Sequence, residues 1–152
     1  MMKESLEKSK EELKRADHLI YVSLKYTRTC DIFKSVLERL INAIEYMLDA
    51  ILKNMENEKI IEDIPAQPVA KSKIVKQNTD DESIREMTDL YLRMRKINKA
   101  PFDRQREFRR HVTMTVNLEG ENFDVNIDNI TDYYKTVKDY YEIVEGKMGG
   151  GE

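Results

Sequence analysis

The chain reads as all-α, an antiparallel bundle of four main helices plus one shorter helix. Three observations carry this. Apolar residues recur at three- and four-residue spacing over long stretches, with Lys and Glu between them. Helix-breaking residues are scarce, with five Gly and three Pro in 152 residues. The charged fraction, 36%, suits the wet faces of helices, while 40% apolar residues suffice for one core.

Residues 3–27 form the first expected helix, with Leu6, Leu13, Ala16, Ile20 and Leu24 on one face. Its charged opening is expected to project or fray. Residues 30–56 give the clearest pattern. Cys30, Phe33, Leu37, Leu40, Ile44, Met47, Ile51 and Met55 make a stripe that Val36, Ile41, Leu48 and Leu52 widen. A stripe this broad faces several helices at once. Residues 58–79 contain Pro65 and Pro68 and read as a long loop or linker. Residues 80–98 make a third helix, capped by Asp80 or Asp81 and stopped by Pro101.

Residues 102–118 are ambiguous. Phe108, Val112 and Val116 fit a helix over 104–117, the shorter helix of the bundle. Val112, Met114 and Val116 also alternate, as do Phe123, Val125 and Ile127 beyond Glu119-Gly120, so a small hairpin over 112–127 is the alternative. The helix is preferred because no other strand is evident to complete a sheet. A last helix covers 128–145, with Ile130, Tyr134, Val137, Tyr141 and Val144 as its stripe. Residues 1–147 then make one domain, and 148–152 a flexible tail.

Cys30 is alone and cannot form an internal disulfide. With two His it makes no metal-ligand set, so neither metal nor cofactor is expected. The lone cysteine leads us to expect a reducing, cytoplasmic setting; the N-terminus reads as too charged for a signal peptide, and no apolar run reaches the length that crosses a membrane.

Residues 93–111 stand apart from this acidic background. Eight Arg or Lys (Arg93, Arg95, Lys96, Lys99, Arg104, Arg106, Arg109, Arg110) meet only Asp103 and Glu107, a net of +6 in a chain of −3. Such a cluster attracts phosphate or an acidic partner. On a helix, Arg106 and Arg110 would share one face and grip a nucleic-acid backbone, with Lys99, Arg104 and Arg109 adding charge. His111 could move a proton on a ribose hydroxyl. On the first helix Asp17, Tyr21, Lys25 and Arg28 are spaced four, four and three. That spacing would line up Tyr21, Lys25 and Arg28 as an anion-binding wall, or simply as a solvated ladder. Tyr133 and Tyr140, seven apart, would project together beside the last stripe.

Arg106-x4-His111, late in a helical chain, resembles the HEPN superfamily of small helical domains. Members carry Arg-x4–6-His, often with Asn, Asp or His after the arginine, where this chain has Glu107. The resemblance implies RNA as ligand and Arg106 and His111 as the catalytic pair of a metal-independent endoribonuclease. It also implies a homodimer in which two motifs face one cleft. The competing expectation is a non-catalytic interaction module, a homodimer or the partner of an acidic protein.

Overall fold

The structure, a computed structural model, describes residues 2–148, so the tail expected to be flexible lies outside it from residue 149 onward. Helix α1 (Met2–His18) continues through a π-helical turn (Leu19–Ser23) into the short α2 (Leu24–Tyr26). Helix α3 (Cys30–Asn57) follows, then α4 (Pro68–Gln77) and α5 (Glu82–Lys99). Strands β1 (Phe102–Gln105), β2 (Thr113–Leu118) and β3 (Glu121–Val125) lead into α6 (Ile127–Met148). The molecule is mostly helical, with one three-stranded antiparallel sheet in the order β1-β2-β3.

Helix α3 is the centre. Its apolar residues are buried on nearly every side, because α1, α4, α5 and α6 all pack on it. Small residues set the approach of α1. The hydroxyl of buried Ser9 donates to the Ala43 carbonyl at 2.8 Å, and Ala16, Ala43 and Ala50 are fully buried. The start of α1 does not project: Ser5 and Leu6 are buried, and Lys53 Nζ donates to Ser5 Oγ at 2.9 Å.

Between α3 and α5, buried Tyr91 donates to Glu45 Oε2 at 2.7 Å, and Arg95 reaches the same carboxylate at 3.3 Å. Asp81 caps α5 by accepting from the Ile84 N–H at 3.1 Å. The helix stops at Lys99, and Ala100 is extended (φ −72, ψ 150), as a residue before proline prefers.

Three expectations are corrected. The segment 58–79 is not all loop, since Pro68 opens α4. Proline lacks only an N–H that a first helical residue leaves unbonded anyway, and Ser72 and Val75 bury the inner face. The helix over 104–117 does not exist. The hairpin does: Met114 pairs with Val125 and Val116 with Phe123, and Val112, Met114, Val116 and Val125 enter the core. Strand β1 supplies the third member, pairing Phe102 with Val116 and Gln105 with Thr113. The last helix, expected to end at 145, runs on through Gly146 to Met148.

Candidate functional site: the loop between β1 and β2

After β1 the chain must reverse to enter β2, and residues 106–112 make that turn. Arg106 (φ 54) and Phe108 (φ 64) both sit in the left-handed region, which bulky side chains rarely adopt. Hydrogen bonds hold them there. The Arg109 N–H donates to the Arg106 carbonyl at 3.2 Å, and the Val112 N–H to that of Arg109 at 3.1 Å. The Phe108 N–H donates to the Arg28 carbonyl at 2.6 Å, which pins the loop to the chain just before α3.

Glu107 points inward. Its Oε2 accepts from the Cys30 N–H, the first of α3, at 2.9 Å and from Arg104 Nη1 at 3.2 Å. The residue that departs from the common HEPN pattern thus caps a helix remote in sequence. Its carboxylate also satisfies an otherwise unbonded backbone donor and lies favourably on the helix dipole. Burial pushes the Cys30 thiol above its ordinary value, and the Glu107 charge pushes it further. Cys30 is a buried, unreactive thiol.

The basic residues divide into two groups. Arg104 Nη2 meets Asp31 at 2.9 Å and its Nη1 meets Glu107, Arg95 meets Glu45, and Lys96 lies 3.8 Å from Glu119. Arg93 lies over the Phe123 ring, 5.0 Å from its centroid. These charges are engaged within the fold. Arg106, Arg109 and Arg110 form no ion pair among the described residues, and all three are exposed. Arg106, Arg110 and His111 line one surface cleft of about 490 Å³ with Thr113, Asn126, Ile127 and Asp128. Arg109 and exposed Lys99 stand outside this lining.

The part of the lining that α6 supplies was not foreseen. Asn126 and Asn129 cap α6 reciprocally: the Asn126 N–H donates to Asn129 Oδ1 at 2.7 Å and the Asn129 N–H to Asn126 Oδ1 at 2.9 Å. The cap places Asp128, in the first turn of α6, in the lining of the same cleft as the arginines. Asp128 near a helix start was legible in sequence, but nothing there linked it to residue 106. The site can hold an anion on two guanidinium forks. His111 has a free imidazole: no described residue hydrogen-bonds the ring, although Thr113 Oγ1 donates to the His111 backbone carbonyl at 2.9 Å.

The expected wall on the first helix is not assembled. The wider π turn at Leu19–Ser23 breaks the register on which its spacing depends, and the helix ends at Tyr26. Asp17 turns to α6, accepting from the Tyr134 hydroxyl at 2.9 Å. Tyr21 meets the Tyr134 ring edge-on, with centroids 6.2 Å apart. Lys25 is exposed, and Arg28 is half-buried with its Nε unbonded. Asp17 and His18 instead line a separate groove of about 640 Å³ between α1 and α6, with Lys14, Tyr134, Lys138 and Tyr141. Tyr133 and Tyr140 lie partly buried against the core.

No group of three or more His, Cys, Asp or Glu among the described residues could hold a metal ion, and no described helix is long and apolar enough to cross a membrane. No protein-family model matches the chain, and no curated protein or solved structure is significantly similar to it.

Proposed function

We propose that this protein binds RNA through the loop between β1 and β2, with Arg106 and Arg110 on the phosphates. The carrying observation is the division of charge. The fold pairs Arg95 and Arg104 with its own carboxylates, yet leaves Arg106 and Arg110 without an ion pair among the described residues, on one open cleft that Asp128 also lines. Unpaired guanidinium groups converging on one concavity are suited to bidentate phosphate binding.

Binding is favoured over cleavage by the state of His111. A general base works best when a neighbour fixes its ring, and no described residue does so here. The HEPN-like reading therefore takes its non-catalytic form, with the Arg-x4-His element carried on a loop.

Titration of labelled RNA at increasing salt tests the proposal. Affinity should fall steeply, because each phosphate contact to a single strand contributes about 0.7 to the slope of log K against log salt. Arg106→Ala should weaken binding and reduce that slope by about one contact, roughly 0.7. Binding indifferent to both salt and Arg106 would refute the assignment. RNA cleavage that His111→Ala abolishes would instead restore the catalytic form.

A further inference from the structure

Phe108 is the most conspicuous side chain of the loop, and phosphate binding makes no use of it. It is 73% exposed, and its backbone is held at φ 64. Both features are unfavourable: a bulky residue in the left-handed region is strained, and the ring gains almost nothing from burial. The strain is maintained from outside the loop, by the Phe108 N–H on the Arg28 carbonyl and by Glu107 on Cys30. The ring is therefore held out from the surface by a clamped backbone.

Tyr26 is, like Phe108, a large hydrophobic side chain left exposed. Tyr26, at 83%, is only two residues before Arg28, the residue on which the Phe108 backbone is pinned. Two exposed aromatic rings thus belong to segments joined by a hydrogen bond, next to unpaired Arg106, Arg109 and Arg110.

We infer that Phe108, assisted by Tyr26, is a stacking platform for unpaired bases, so that the ligand is single-stranded rather than duplex RNA. This rests on the phosphate-binding reading above and specifies its ligand. An aromatic face accepts any flat base, while neighbouring guanidinium groups take the phosphates. A duplex conceals its base faces in the stack and offers such a ring nothing.

Phe108→Gly is the informative variant. Glycine adopts a positive φ without strain, and the lost ring is mostly in solvent, so the variant should melt no lower than wild type. Its affinity for a mixed-sequence single-stranded RNA should nevertheless fall roughly 5- to 150-fold, the range of one lost stacking contact. Phe108→Trp should restore it, and Tyr26→Ala should weaken it. Inorganic polyphosphate, which has no bases, should bind wild type and Phe108→Gly alike. Annealed duplex should bind wild type more weakly than the single strand does.

Equal single-strand affinity in wild type and Phe108→Gly would overturn the platform while leaving phosphate binding in place. So would a duplex held as tightly as the single strand. A wild-type protein that holds neither RNA nor polyphosphate would overturn both readings. Anionic vesicles held through Phe108, with no RNA bound, would assign the ring to a membrane surface and likewise refute the inference.

Discussion

Lys59 ends α3 in a left-handed conformation, φ 61. Around it the Ile60 N–H donates to the Met55 carbonyl at 2.8 Å and the Lys59 N–H to that of Glu56 at 3.0 Å. This is the Schellman arrangement, whose central position favours glycine. Lys59→Gly should therefore stabilise the protein by about 1 kcal/mol, raising its melting temperature by about 2–4 °C. Differential scanning calorimetry reads this directly, and a lower melting temperature would mean that the lysine side chain has an unrecognised role. Glu119 (φ 54) and Gly120 (φ 87) make the two-residue turn between β2 and β3, where two successive positive φ values suit the twist of a hairpin. Gly120 was a visible turn signal in the sequence. Lys59, Arg106 and Phe108 were not, because nothing about Lys, Arg or Phe announces a positive φ. The hydrogen bonds that impose it come from neighbours.

At the scale of elements, Asp81 joins two helices. It caps the start of α5, and it meets Lys147, in the last turn of α6, at 2.5 Å. The Lys147 ammonium holds the Asp81 carboxyl below its ordinary value, with the Ile84 N–H acting in the same direction. A lowered acid contributes stability above its unfolded value of 3.8, and that contribution is lost as pH falls through the folded one. Asp81→Asn keeps a capping oxygen but loses the charge pair. It should be less stable than wild type at neutral pH, by up to about 1 kcal/mol, and equal to it once both are acidified well below 3.8. Urea unfolding across that range measures the gap, and a gap independent of pH would contradict this account. Elements also mark where sequence reading succeeded. The stripe from Cys30 to Met55 is long and unambiguous, and every member is buried. The sheet was obscured because β1 is four residues long and only Phe102 is partly buried, so it shows no alternation. Without a third strand the hairpin over 112–127 seemed unsupported. Helix α4 was hidden by its own Pro68, a breaker in a helix interior but a good first residue.

For the whole molecule, the eight tyrosines give a test of packing. Burial, together with Glu45, Asp17 and Glu145 respectively, raises the Tyr91, Tyr134 and Tyr141 hydroxyls, Tyr141 up to about 12. A raised acid favours the folded state below its unfolded value of 10, and that advantage declines as pH climbs past it. Alkaline titration followed by phenolate absorbance reads this. The three buried tyrosines should ionise only at higher pH or together with unfolding. One titration near pH 10 embracing these three would contradict the packing of α5 on α3 and of α6 on α1.

Helical periodicity, the central place of α3, the proline stop after α5 and the basic cluster at 93–111 are local properties of residue type and spacing. They are legible without coordinates because each depends only on neighbours a few positions away. Tertiary structure decided which of those charges stay free. Arg104 met Asp31, distant in sequence, and Glu107 turned inward to the first N–H of α3. Arg106 and Arg110 form no ion pair among the described residues and line a cleft together with Asp128. Electrostatic pairing acts through space over a few ångströms, so the order of residues along the chain does not disclose it.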